Sequence, residues 1–264
     1  MAATITVREV LRRVSVLLND SQDQFSSWPE NDLVRWLDDA QLAIVKYLPL
    51  SASGIYSMLL ERGTTLQSIE RLVPARVKTH AGATPAADVL GMQLLKVMNN
   101  MGANGTTPGD AIRIIDTEKL DTRSPSWRTV VGTKVRSYTF DPQVPMHFEV
   151  TPAPPAASDL WVRLAMTAQP AKIPNTGTPG AELYRWDDNN ATTISVHDEH
   201  IDMLVNYVVA RANMEAVDWA DPAKVAIFAG LWVSDMNQKV QVATGSNPNL
   251  SRLPFAPQPL AAAK

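Results

Sequence analysis

The sequence predicts an α+β fold: a four-helix bundle formed by both chain ends, an inserted antiparallel β subdomain, and an extended C-terminal arm. Three observations predict it. Apolar residues recur at helical spacing up to Leu48 and again from Ile201 to Met236. Between these stretches apolar and polar residues alternate with a period of two. Beyond Gly245, four prolines exclude regular helix. The expected parts are a helical domain of residues 1–50 and 196–243, a β subdomain of 51–195, and an arm of 244–264.

The first helix opens at Thr6-Val7-Arg8-Glu9, a capping box in which the Thr6 hydroxyl accepts from the Glu9 amide and the glutamate reaches back. Val7, Val10, Leu11, Val14, Leu17 and Leu18 then form one stripe that ends near Asn19-Asp20. Ser27-Trp28-Pro29-Glu30 reads as a second capping box. Leu33, Trp36, Leu37, Ala40, Ile44 and Leu48 follow, and Pro49 closes the helix. The short polar link of residues 20–27 predicts an antiparallel hairpin of these two helices.

From residue 56 the pattern becomes β. Tyr56–Glu61 and Thr65–Ile69 flank the turn signal Arg62-Gly63-Thr64. The apolar run Met92–Met98 is followed by Asn104-Gly105, a hairpin dipeptide, with Ala111–Ile115 as the expected return strand. Val135–Phe140 is rich in strand formers. In Met146–Thr151, Phe148 and Val150 face one way and His147 and Glu149 the other. Leu160, Val162, Leu164 and Met166 alternate with Trp161, Arg163 and Ala165. Eight of the 19 prolines lie between Asp141 and Gly180 and punctuate these strands and a long loop.

Helix returns at Ser195-Val196-His197-Asp198, expected to cap a helix carrying Ile201, Leu204, Val205, Val208 and Ala212. Asp221-Pro222 is an N-cap and first-turn pair for a last helix with Val225, Phe228, Trp232 and Met236 on one face.

Composition narrows the function. The 264 residues are 45% hydrophobic and 19% charged, enough to bury a core. There is no cysteine, which excludes disulfides, thiolate nucleophiles, zinc ribbons and iron–sulfur clusters and fits a reducing cytosol. The opening residues lack a basic start followed by an apolar stretch, and no apolar run reaches a membrane-spanning length of about 18 residues, so a chain kept in the cytosol is expected. Net charge is −2 over 1–50, +1 over 51–197, −4 over 198–240 and +2 over 241–264. A protein that grips DNA regardless of sequence is strongly basic, and this one is not. One basic stretch stands out: Arg113, Lys119, Arg123, Arg128, Lys134 and Arg136 against Asp116, Glu118 and Asp121. It reads either as an ordinary solvated face or as a patch touching nucleic acid or an acidic partner, at an interface or in a channel.

Candidate chemistry is sparse. His197 and His200 are three apart, but without the His-Glu-x-x-His spacing of metalloproteases, and they sit where acids favour a helix start. No metal or cofactor is expected. Gly102-Ala-Asn-Gly-Thr-Thr-Pro-Gly109 lacks the Gly-Lys-Ser/Thr of a phosphate loop and reads as a hairpin loop. Asp38-Asp39 reads as a wet helix face, and Asp187-Asp188-Asn189-Asn190 as a loop. Trp36 and Trp232 fall on core stripes. Trp28, Trp127, Trp186 and Trp219 could fill satellite cores or anchor an interface.

The order of several landmarks goes further. They are Val7–Asp20; Trp28-Pro29, Trp36-Leu37, Ala40-Gln41 and Pro49; Arg62-Gly63-Thr64 with Gln67; Leu95–Gly102; Pro125-Ser126-Trp127; Tyr138–Asp141; Pro145, Phe148-Glu149-Val150 and Pro152; and Asn206-Tyr207 with Arg211-Ala212. In this order the chain resembles the head-to-tail adaptor (connector) proteins of short-tailed, podovirus-like bacteriophages. Two places depart from that pattern. Gln67 is followed by Ser68-Ile69 with the proline only at Pro74, and residues 170–193 are long.

The resemblance implies a non-enzymatic virion protein at the head–tail junction, assembled in the host cytoplasm. It implies a homo-oligomeric ring of about twelve copies under the portal protein that continues the DNA channel and docks the tail nozzle or fibre proteins. Genomic DNA would pass without specific binding, and no membrane partner is expected. Leu250, Arg252, Leu253, Phe255 and Leu260 of the arm become candidate contacts for the portal or a neighbouring subunit, since prolines lower the entropy lost on docking. Two alternatives stand beside this: another tail, nozzle or tail-completion protein, and a hydrolase using His147 or His197 and His200 with a carboxylate.

Overall fold

A computed structural model describes residues 4–20, 28–174, 192–215 and 220–246. Among them run five helices: α1 (Val7–Leu17), α2 (Glu30–Tyr47), α3 (Thr117–Arg123), α4 (Ile201–Met214) and α5 (Pro222–Ser246). Nine strands accompany them: β1 (Ser53–Leu59), β2 (Leu66–Ser68), β3 (Val77–Thr79), β4 (Gly91–Met101), β5 (Pro108–Ala111), β6 (Arg113–Ile114), β7 (Ser137–Phe140), β8 (His147–Thr151) and β9 (Trp161–Ala168). The α+β class is thus observed. The chain forms two compact units, one of residues 1–52 and 170–264, the other Ser53–Gln169.

In the first unit, α1 begins as expected at Thr6, whose hydroxyl accepts from the Glu9 amide (3.2 Å). The reciprocal half of the box is absent, because the Glu9 carboxylate turns instead to Arg13 (3.1 Å). The helix ends with Asn19 at φ 57°, while Asp20 N–H bonds to Ser15 O and Asn19 N–H to Val16 O. That is a Schellman ending with asparagine in the left-handed position. For α2, Ser27 lies outside the described residues. The cap residue is Pro29, without a side-chain bond.

The expected α1–α2 hairpin is not the organising contact. Residues 21–27 lie outside the description, and α1, α2 and α5 each pack against α4. The reason lies in α4 itself. Ile201, Met203, Leu204, Val205, Val208, Val209, Ala210 and Ala212 are all buried, so it is apolar around most of its circumference. Each of the larger ones, the Ile, Met, Leu and Val side chains, contributes about 1.5–3 kcal/mol when removed from water, and only neighbours on several sides achieve that. Ser195 does not cap this helix. Its hydroxyl accepts from Ala171 N–H (3.1 Å), and a short 3-10 turn, Asp198–His200, leads into α4 instead. The Asp221-Pro222 start of α5 is as expected, with the Asp221 carboxylate accepting from Ala223 N–H (2.9 Å).

The second unit is two sheets around one core. The five-stranded sheet has the order β3-β1-β9-β4-β5 and is antiparallel throughout. The four-stranded sheet has the order β2-β8-β7-β6, with β6 parallel to β7. The chain leaves the first sheet at Arg62-Gly63-Thr64 and enters the second at β2. The return strand from Asn104-Gly105 is β5, earlier than expected, and residues 113–114 cross to the second sheet as β6. The expected all-antiparallel sheet is therefore mixed at that edge. Met58, Val97, Leu164 and Met166 from one sheet meet Tyr138, Phe148 and Val150 from the other in a single buried cluster. The alternation expected in β8 holds, with Phe148 and Val150 buried and His147 and Glu149 half-buried. Helix α3 was not expected, since it carries no buried side chain and so no apolar stripe.

Three landmark residues have local reasons. Gln67, 1% exposed, accepts from Glu61 N–H (2.6 Å) and donates to Glu61 O and Thr64 O, clamping the turn between the sheets. Asn100 accepts from Val135 N–H (2.9 Å) and donates to Val135 O (2.7 Å) and Asp110 O (3.2 Å). Gly105, at φ 72°, lies under the Trp161 ring, where a Cβ would come within 2.6 Å of it.

Candidate interaction surfaces

The arm residues Leu250, Arg252, Leu253, Phe255 and Leu260 lie outside the described residues, as do Asp187–Asn190, Trp186 and Trp219. The basic stretch is visible, and the structure divides it. Arg128 stacks on Trp127 (4.3 Å) and pairs with Asp121 (3.1 Å) and Glu149 (3.2 Å). The Glu149 bond raises the guanidinium's pKa further. Lys134 pairs with Asp110 at 2.8 Å and holds that carboxyl below its ordinary value. These two cations are locally neutralised. Arg113, Lys119, Arg123 and Arg136 are exposed and form no ion pair among the described residues.

Arg113 and Arg136 are backbone neighbours, since Arg113 N–H donates to Arg136 O (3.2 Å) across the β6–β7 pair. Lys119 and Arg123 are one turn apart on α3. Exposed Ile114, Val130 and Val131 flank these residues in the chain. A strand edge carrying unpaired cations and apolar side chains suits a protein contact more than tight phosphate binding.

Among the described residues no group of three or more histidines and carboxylates could hold an ion. Asp198 is occupied as a clamp: its carboxylate accepts from Thr4 N–H (2.9 Å), the Thr4 hydroxyl and Ile5 N–H (3.2 Å), which lowers its pKa. His200 is 3% exposed, 3.3 Å from Glu199, and burial pushes its pKa down to about 4. Burial of this kind favours the neutral imidazole at the helix start. His147 sits on β8 in the other unit.

Asp38 departs from expectation. It is not on a wet face: half-buried, it accepts from Ile173 N–H (3.1 Å), and desolvation raises its pKa to about 6. Only Asp39 is exposed. Sequence spacing could not reveal the partner, which is 135 residues away. The tryptophans resolve toward packing. Trp36, Trp28 and Trp127 are buried, and Trp127 donates to Asp121 (2.7 Å). Trp232 is half-buried, edge-on to Tyr207 at 5.5 Å.

One groove went unnoticed in the sequence. Helices α1 and α5 both lie on α4, and between them an open trough of about 530 Å3 runs over Val205. Val16 (66% exposed) and Leu17 form one rim, and Asp202 and Asp235 line it from α4 and α5. Arg13 and Asn206 line it as well, and Arg13 is engaged by Glu9. Leu17, expected on the buried stripe of α1, is exposed instead, and with Val16 off that stripe it is the sequence signal of the groove.

Among the described residues no helix is long and apolar enough to cross a membrane. No curated protein matches the chain. The family model described as SU10 adaptor protein matches residues 5–252, a span that takes in every helix and strand above. The chain belongs to the SU10 adaptor protein family, whose members are structural phage proteins of the virion rather than enzymes.

Proposed function

We propose that this chain is the head-to-tail adaptor of a short-tailed phage. A ring of about twelve copies would sit under the portal, continue the DNA channel and dock the tail nozzle. The observation that carries the reading is the family match over residues 5–252. Physical features support it. Helix α5 turns Met236 and half of Trp232 toward its own unit, yet Ile227 (58%) and Leu231 (47%) stay exposed on another face. A helix apolar on more than one side fits self-association. The acidic helical part and the locally neutralised Arg128 and Lys134 suit a channel along which DNA slides. The four unpaired cations at Arg113, Lys119, Arg123 and Arg136 are a candidate contact with an acidic neighbour, and the arm residues Leu250 to Leu260 a candidate contact with the portal.

The test is to mix the purified chain with its phage's portal and examine the product by native mass spectrometry and electron microscopy. A closed ring bound to one end of the portal is expected. A chain that stays monomeric with portal present, or that localises elsewhere in the virion, refutes the proposal.

A further inference from the structure

We infer that the trough between α1 and α5 is the resting seat of this chain's own arm, filled by Leu250–Phe255 before any partner is met. The proposal goes beyond portal docking and does not depend on it.

The trough has a definite chemistry. Its floor is Val205 and its rim Val16 and Leu17, so it takes apolar side chains. Its polar lining is Arg13, Asn206 and two carboxylates, Asp202 and Asp235, and these two form no ion pair among the described residues. The nearby cations are engaged: Arg13 by Glu9, and Lys224 by Leu17 O (3.2 Å). An occupant should therefore be apolar, bear a cation, and carry no acid. Leu250-Ser-Arg-Leu-Pro-Phe255 meets all three conditions, with Arg252 as the cation and no Asp or Glu between 241 and 264.

The reach also matches. Asp235 precedes Ser246, the last residue of α5, by eleven positions, about 16 Å along the helix. Asn247-Pro248-Asn249 consists of turn-forming residues suited to reversing the chain. An extended segment rising ~3.1 Å per residue then needs about five residues to return, which brings Arg252–Phe255 level with Asp235. The prolines limit the entropy lost on seating. A seated arm cannot simultaneously hold another chain, so the first partner contact must displace it.

The absence of cysteine makes a clean test available. The double variant Val16→Cys with Leu253→Cys is oxidised mildly in dilute solution. The expected result is an intrachain 16–253 disulfide in a monomer, forming at least about tenfold faster than in the control Leu42→Cys with Leu253→Cys, because seating raises the local concentration. Adding Asp202→Lys and Asp235→Lys should slow it about tenfold, with an unchanged circular dichroism spectrum showing that the fold is kept. Equal rates in test and control pairs overturn the proposal. A covalent dimer from mixed single-cysteine chains, without the intrachain product, also overturns it by assigning the trough to a second copy. An intrachain disulfide in a chain that never binds portal would leave this proposal standing and the adaptor reading fallen.

Discussion

The Asp38 carboxylate accepts the backbone N–H of Ile173 at 3.1 Å, tying α2 to the segment that returns from the β unit. Its pKa is about 6 in the fold, against an ordinary 3.8. A carboxyl raised in this way opposes folding while charged. Its contribution therefore improves as pH falls through about 6 and levels off below 3.8. His200 acts in the opposite direction: with its pKa lowered from 6.5 to about 4, the fold loses stability as pH falls through that window. We expect the two to offset each other between pH 6.5 and 4. Asp38→Asn should make thermal stability fall more steeply with acid, and His200→Gln should make it fall less. Melting temperatures of the three proteins at pH 7, 6, 5 and 4.5 check the signs. Parallel curves would contradict this.

Asp198 fastens the chain start by accepting from Thr4 and Ile5, and Ile5 O in turn accepts from Ile194 N–H (3.1 Å). Asp198→Ala should lower the melting temperature by about 2–4 °C. It should also speed amide exchange at Ile5, Val7 and Ile194 while leaving the β unit unchanged. Uniform loss of protection in both units would count against a local clamp.

Asn100 satisfies three backbone groups on two neighbouring segments, the N–H and carbonyl of Val135 in buried bonds and the Asp110 carbonyl in a part-buried one. Asn100→Leu should cost about 2–4 kcal/mol, since Val135 N–H and both carbonyls lose their partners. Denaturant unfolding of the isolated chain measures it. A cost below about 0.5 kcal/mol would mean that water takes over these groups.

Gly91 has no space for a side chain: a Cβ there would come within 2.4 Å of Ile69 O, a backbone atom. Gly91→Ala should destabilise by about 1–3 kcal/mol through displacement of that carbonyl. Gly230→Ala, on α5 with open space around it, should stabilise by about 0.5–1 kcal/mol. Chemical denaturation of both variants gives the comparison, and equal effects would refute it.

Deleting residues 246–264 should leave the fold intact by circular dichroism, because Met236 is the last buried residue of α5 among those whose burial is described. It should weaken assembly with the portal. Undiminished assembly by the truncated chain would remove the arm from the portal contact.

Much of this structure was legible in the sequence because periodicity reports one-sided burial. Val7, Val10, Leu11 and Val14 are all buried, as their spacing requires. So are Leu160, Val162, Leu164 and Met166. What escaped depends on partners distant in the chain. Asp38 looks like any helical aspartate until Ile173 arrives. Arg128 and Lys134 look like two more positive charges until Glu149, Asp121 and Asp110 neutralise them. Helix α3 escaped because it buries nothing, and the crossing at Ile112 escaped because a strand's sheet membership is not written in its own alternation. The trough is a relation among three helices, and no single stripe encodes it.

Ser53 and Thr167 are paired residues on adjacent antiparallel strands, β1 and β9. These strands are also the entry and exit of the β unit. The 117 residues between Ser53 and Gln169 thus begin and end side by side. Joining ends so close together needs no more span than a hairpin turn does. Closing the insert costs the helical part little more than a short loop would. Such a stem makes the β unit a cassette whose entry and exit stay fixed when its loops are lengthened or decorated. A lineage facing a new neighbour could change one surface without rebuilding the other.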